Sequence, residues 1–447
     1  MTELVLARAQ MAMLFAFHIL FAVAGIGMPV LMVIAERAHL RTGQPVYAEL
    51  ARRWAKGTSV LFAVGAVSGT VLSFELGLLW PGFMAFAGGV IGLPFALEGF
   101  AFFTEAIFLG IYLYGWDRVS PRLHFASGVL VAVGGILSGI FVVTANAWMN
   151  SPAGFTLAEG RPVEVSPLAA MLNPSSLHET IHMTLAAFAA SGFAVAGIHA
   201  FLLLRNRENL FHRKALEIAL AVGGVAAVLQ PLSGDLSARF LARNQPVKLA
   251  ALEGQFETGH GMPLRIGGIP DVASRTTRYA IEIPKGLSLL AYHDPDARVE
   301  GLTSFPREDW PDPVPVHIAF QAMVAGGLAM ALLSVAAAWR AWRKRENLFS
   351  RRFLIAVALC GPVGLLCVEA GWIVTEMGRQ PWAIRGVMRT AEAATPVGGL
   401  LLPFAFFSLL YLGLGAASVW LLRREVSASP FYPAGGDSAG RAAQGRE

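Results

Sequence analysis

The sequence predicts an all-α integral membrane protein of about nine transmembrane helices. Its N-terminus is expected outside, its C-terminus in the cytoplasm, and a long outer loop between the sixth and seventh helices. Three observations carry this: an apolar composition, apolar runs long enough to cross a bilayer, and cations confined to alternate loops. Of 447 residues, 55% are hydrophobic and 15% charged, and the mean hydropathy is +0.56. A soluble domain is usually about 45–50% apolar and about 25% charged, so the composition belongs to the membrane class. A formal net charge of +5 is too small to argue for nucleic acid.

A hydrocarbon core needs about 20 apolar residues per helix. Runs that meet this lie near 11–35, 58–80, 88–114, 125–148, 180–204, 215–233, 315–339, 353–375 and 396–422. Lys and Arg cluster in 37–56, at Arg118 and Arg122, in 205–214, in 340–352 and at Arg423 and Arg424. These are alternate connections, which the positive-inside rule places in the cytoplasm. The N-terminus does not read as a cleavable signal, because Arg8 is the only early cation and the apolar run after it is too long.

The chain then divides into helices one to six within 1–233, an outer loop at 234–314, helices seven to nine within 315–426, and a tail at 427–447. The loop opens on QPVKLAALEGQFET, which can form a helix. GHGMPLRIGGIPD follows and is expected to be irregular. The tail is rich in Gly, Ala and Ser and is expected to be disordered. No internal repeat is visible, which disfavours an inverted-repeat transporter. Cys360 and Cys367 lie seven apart on one helical stretch, roughly 10 Å along its axis, too far for a disulfide.

Ionisable side chains inside a span are costly and point to function. His18 lies in the first span, Glu98 and Glu105 in the third, and Glu369 and Glu376 in the eighth. His182 starts the fifth, with His178 and Glu179 one turn earlier. Each glutamate pair is seven apart and projects from one helix face. Such carboxylates can ligate metal or relay protons. A lone membrane histidine can equally be a hydrogen-bonded helix contact, His178 reads best as lining, and a lone methionine such as Met323 is ordinarily packing. Trp54, Trp80, Trp148, Trp372 and Trp382 mostly sit near span ends, as interface belts do. Histidine and methionine on separate helices suit haem iron better than zinc, and a His/Met pair makes a six-coordinate electron-transferring haem. These residues alone do not pair His182 with Met323, and they leave a proton-coupled transporter open.

Residues 371–382 read GWIVTEMGRQPW, preceded by VEAGW at 368–372. This stretch resembles the signature of subunit I of cytochrome bd-type quinol oxidases. Further matches follow in order: ARAQMAMLFAFHILF at 7–21, ALEGFAFFTEAIFLGIYLYGWDR at 96–118, ANAWMNSP at 145–152, the His182 helix, VKLAALEGQFET at 247–258 and IAFQAMVAGG at 318–327. The family's nine-helix topology, with an outer quinol loop between helices six and seven, agrees with the charge map.

The resemblance implies that His182 and Met323 hold a low-spin haem b. It implies that His18 and Glu376 serve a high-spin pair, haem b and haem d, with Glu98 beside them as ligand or proton donor. Glu105 and Ser138 would lie on a cytoplasmic proton route. Lys248 and Glu253 would bind and oxidise quinol, and Trp372 would pass electrons between haems. Arg8 and Arg379 are placed to pair with haem propionates, since Arg forms charge-assisted bonds to carboxylates. Ubiquinol or menaquinol and dioxygen would be the substrates. Quinol protons would leave outside while protons for water enter from the cytoplasm, moving charge without a pump. A second subunit, and in some members a very small third, would be partners in the bacterial cytoplasmic membrane.

Two departures stand out. The family often has an Arg two residues before the methionine ligand, where this chain has Gln321. The loop lacks a long insertion, so it is of the short type. GTVLSFELGLLWPGF at 69–83 resembles the cyanide-insensitive branch, whose members can carry a haem b in place of haem d. Besides the transporter, a haem-binding subunit without an oxygen-reactive site is the alternative function.

Overall fold

The computed structural model describes residues 3–428 and 430–432. Residues 433–447 of the expected tail lie outside the described residues. The membrane-crossing helices are α1 (Glu3–Thr42), α2 (Pro45–Leu79), α3 (Pro81–Tyr114) and α4 (Pro121–Asn150), followed by β1 (Thr156–Ala158), β2 (Arg161–Val163) and the short α5 (Pro167–Met171). Next come α6 (Ser176–Arg205) and α7 (Leu210–Asn244). The loop after α7 carries α8 (Pro246–Leu252), β3 (Gly259–His260), β4 (Leu264–Ile266), β5 (Ile269–Asp271), β6 (Thr276–Arg278), β7 (Ile281–Ile283), α9 (Gly286–Tyr292) and β8 (Arg298–Val299). The chain finishes with α10 (Pro313–Arg343), α11 (Arg351–Cys360), α12 (Val363–Met377), β9 (Trp382–Ile384), β10 (Met388–Arg389), α13 (Thr390–Ala393) and α14 (Leu401–Ser427).

Nine spans long and apolar enough to cross a membrane are present among the described residues, α11 and α12 together making the eighth. Their starts are written locally. Proline occupies the first turn of α2, α3, α4 and α10, where its missing N–H would have had no partner. Ser120, Asn209 and Asp312 cap α4, α7 and α10 by accepting from Leu123, Phe211 and Val314 backbone N–H groups.

Three expectations are corrected. The eighth span is broken at Gly361–Pro362 rather than continuous over 353–375. Proline cannot continue the backbone ladder, and a Cβ on Gly361 would lie 3.1 Å from Gly197 Cα, so the break sits at a close approach of α6. The sixth span runs on to Asn244, well past 233. The loop after it is not irregular: β4 pairs β7, β5 pairs β6 and β3 pairs β8, all antiparallel. Gly267 and Gly268, both at positive φ, turn the chain between β4 and β5, a conformation that costs glycine little.

The centre is a close crossing of α6 with α7, α11 and α12. A Cβ on Gly192 would lie 2.5 Å from Gly223 Cα, and one on Gly364 2.6 Å from Ala190 Cα. Small residues let backbones approach where lipid supplies no hydrophobic drive between helices. α14 lies outside this centre, against α1 and α2, with Leu402, Leu409, Leu412 and Val419 exposed.

Contacts sort the loops into two ends. At one, Arg213 pairs with Glu346, and the chain after α14 returns: Asn209 Nδ2 donates to Pro430 O and Leu210 N to Tyr432 O. At the other, Arg385 donates to Asn244 O, and Leu400 N to Glu3. Replacing Gly192 with Leu should overpack the central crossing at a cost of about 1–3 kcal/mol, lowering the thermal midpoint of the purified protein in detergent. An unchanged midpoint would mean that this crossing is not tight.

Candidate active site

His18 on α1 and His182 on α6 are held the same way. His18 Nδ1 is 3.0 Å from Ser68 Oγ on α2, and that hydroxyl donates to Gly65 O at 3.1 Å. His182 Nδ1 is 2.9 Å from Ser233 Oγ on α7, and that hydroxyl donates to Gln230 O at 2.9 Å. A hydroxyl has one proton to give. With it directed to the carbonyl, each serine is free to accept from an Nδ1–H, the tautomer that leaves a lone pair on Nε2. This is how ligating histidines are oriented by their outer neighbours. Gln230 Nε2 stands 3.1 Å from His182 Nε2, as a donor to that lone pair. A Cβ on Gly69 would lie 2.9 Å from His18 Cε1, so a side chain there would displace the ring. His178 repeats the pattern one turn before His182, with Nδ1 3.1 Å from Ser237 Oγ. Its Nε2 is buried without a partner among the described residues.

Met323 on α10 packs over α12: a Cβ on Gly371 would meet its Sδ at 3.2 Å, and Cys367 Sγ donates to its backbone oxygen at 3.6 Å. α6 and α10, which bear His182 and Met323, both pack against α7 and α12.

The carboxylates divide into two groups. On α3, Glu98 accepts from Ser138 Oγ at 3.2 Å. Glu105 is buried two turns on, with both carboxylate oxygens 3.4 Å from where a Cβ on Gly135 would lie, and Oε1 lacks a partner among the described residues. At the end of α12, Glu376 accepts from Asn146 Nδ2 and Arg379 Nη2, each at 2.5 Å. Arg379 is buried, and its Nε and Nη1 have no partner among the described residues. Those two donors fit an anionic group such as a propionate. Arg8 is exposed on the first turns of α1 and makes no ion pair among the described residues. Trp372 stacks on Phe15, with centroids 6.1 Å apart and planes 13° apart, one turn from His18.

The loop reaches this second group. Lys248 on α8 is buried, and its Nζ donates to Asn150 Oδ1 at 3.0 Å and Thr375 O at 3.4 Å. Asn150 Nδ2 in turn donates to Asn146 O at 3.2 Å. Hydrogen bonds thus run from Lys248 through Asn150 and Asn146 to Glu376. Burial lowers the Lys248 ammonium to about 8, against the opposing pull of Glu179. Glu253, at the end of α8, is also buried, and Oε2 lacks a partner among the described residues. Burial raises its carboxyl to about 7, with Arg265 opposing.

Neither Asn146 nor Asn150 stands out from sequence alone, though both lie in the ANAWMNSP stretch. The same holds for the buried pair in which Gln10 Nε2 donates to Glu75 Oε2 at 2.8 Å. Glu75 was missed although it meets the same intramembrane-acid criterion that found the others. Ser68 and Ser233 carry no signal of their own, because serine is common in membrane helices.

Comparison with known proteins places the chain. The family model described as cytochrome bd terminal oxidase subunit I matches residues 6–430. A putative cytochrome bd menaquinol oxidase subunit I of Bacillus subtilis (strain 168) is 40% identical over 94% of this chain and 96% of its own. The cytochrome bd ubiquinol oxidase subunit 1 of the same organism is 36% identical over 95% and 94%. The solved structure of bd oxidase from Geobacillus thermodenitrificans superposes with a TM-score of 0.91 at 38% identity, covering 96% of this chain and 99% of that one. With these matches along nearly its whole length, the chain belongs to the cytochrome bd terminal oxidase subunit I family.

Proposed function

We propose that this chain is the haem-bearing subunit of a quinol:oxygen oxidoreductase. It oxidises quinol at the loop after α7 and reduces dioxygen to water within the helices, working with a second subunit. The observation that carries the reading is the matched pair of serine-anchored histidines, whose Nδ1 atoms face Ser68 and Ser233 so that Nε2 would be the atom offered to iron, at His182 once Gln230 Nε2 gives way. His182 and Met323 would hold a low-spin haem b. His18 and Glu376, with Glu98 nearby, would hold a high-spin haem b and a haem d, or a further haem b as in the cyanide-insensitive branch. When bound, these groups supply the electron relay and the iron at which dioxygen is reduced.

The chain's own residues do the rest. Lys248 orients a quinol oxygen and Glu253 takes a quinol proton, which leaves at the loop end. Ser138 fixes the Glu98 carboxylate, and Glu105, in its glycine cradle, passes protons inward from the opposite end. The buried guanidinium of Arg379 neutralises a propionate and holds Glu376. Trp372, stacked on Phe15, fills the space beside His18 and offers a path for electrons. Quinol protons leave on one side while protons for water enter from the other, so turnover separates charge without a pump. Ubiquinol and menaquinol both fit this chemistry, and the setting is a bacterial cytoplasmic membrane.

Two outcomes test the reading. In the oxidase assembled with its partners, His18→Ala should abolish oxygen consumption and disturb the high-spin bands of the reduced-minus-oxidised spectrum, while His182→Ala should remove the low-spin band. Normal turnover in His18→Ala would sink that ligand assignment. A red-shifted chlorin band in the same spectrum would establish haem d, and haem b bands alone the other branch.

Glu253 must be ionised to accept a proton. With its carboxyl raised to about 7, quinol oxidation should fall as pH drops through about 7, where the protonated form takes over. Glu253→Gln should lower turnover and remove that acid limb. A profile identical to wild type would show that Glu253 is not the base.

A further inference from the structure

A loop can hold a reactive group in place only if something fixes it to the helices. One face of α10 does this. His317 is fully buried, with Nδ1 2.7 Å from the carbonyl oxygen of Leu252 and Nε2 3.0 Å from that of Gly267. Each ring nitrogen thus faces a backbone carbonyl oxygen of the loop. The Leu252 carbonyl belongs to the peptide unit that leads into Glu253. The chain passes so tightly over the ring that a Cβ on Gly254, itself at φ +59, would lie 3.3 Å from His317 Nδ1. Thr277 Oγ1 closes the other side by donating to Gly254 O at 2.7 Å.

Gln321 lies four residues on and shares this face. Its Nε2 donates to Arg265 O, and its Oε1 accepts from Gly267 N, each at 3.0 Å. Arg265 reaches back to Gln255 Oε1, two residues past Glu253, and its charge opposes the rise in the Glu253 carboxyl. So two side chains grip both the peptide that carries Glu253 and the residue whose charge acts on it. Met323 follows Gln321 by two residues, about 200° around the helix, and faces Gly371 on α12.

We propose that His317 and Gln321 are positioning residues for quinol oxidation. They clip the Glu253–Gly267 turn to one face of α10 and so fix its distance from Met323 on another. This rests on the proposed roles of Glu253 and Met323, and deepens them. It also gives Gln321 a role of its own, as a side chain that holds the loop to the helix.

The test uses the assembled oxidase with a short-chain ubiquinol or menaquinol. His317→Ala and Gln321→Leu should each raise KM for quinol or lower kcat about tenfold, which is about 1.4 kcal/mol. Their haem spectra, and the rate at which oxygen reoxidises chemically reduced enzyme, should stay at wild-type values. Amide exchange across 252–268 should speed up in both variants. Wild-type quinol kinetics in Gln321→Leu, with Glu253→Gln impaired, would overturn the clip alone. Wild-type kinetics in Glu253→Gln would overturn the loop reading, and the clip with it. Slowed reoxidation or an altered low-spin band would show that the two residues serve the haem rather than the loop, also against the proposal. If His317→Ala does not assemble, Gln321→Leu decides, since it keeps the volume and removes only the two bonds.

Discussion

Lipid offers no hydrogen bonds, so every polar group inside a span must find its partner within the protein. Most of the architecture follows from this constraint. Backbone groups close into helices, and the side chains settle in short chains that end on a carbonyl. His18 leans on Ser68 and Ser68 on Gly65; His182 leans on Ser233 and Ser233 on Gln230. Each chain fixes the position of its ring. Among the buried atoms without a partner in the described residues are Glu105 Oε1, Glu253 Oε2 and two nitrogens of Arg379, which belong to side chains proposed to handle protons or anions.

The spans were legible because a bilayer imposes a length on apolar runs and a sign on loops, and both survive in composition. The residues proposed as iron ligands were legible as costly exceptions, or through the GRQPW stretch. What escaped was whatever depends on partners distant in sequence. Asn146 and Asn150 become a link only when Lys248 and Glu376 arrive from elsewhere. Strands of two or three residues lie below any periodic window, so the loop's pairings read as irregular chain. The break at Gly361–Pro362 was written in the sequence as a Gly-Pro step, a signal outweighed by the apolar run around it.

Lys248 lies on one short buried helix and Glu253 caps its end, and burial pushes them in opposite directions, the amine down and the carboxyl up. Desolvation disfavours whichever form is charged, so the two approach a common range from either side. A pair tuned this way can exchange protons with a bound phenolic hydroxyl near neutral pH more readily than the same groups in water. That helix is buried between α7 and α10.

The return of the chain after α14 has a mechanical consequence. α14 lies at the periphery and shares little surface with its neighbours, yet Pro430 and Tyr432 are bonded to Asn209 and Leu210 at the turn between α6 and α7. That turn belongs to the most tightly packed pair of helices among the described residues. The last span is therefore moored at its far end to the central helix pair, and it cannot peel away into the bilayer without first casting off those bonds.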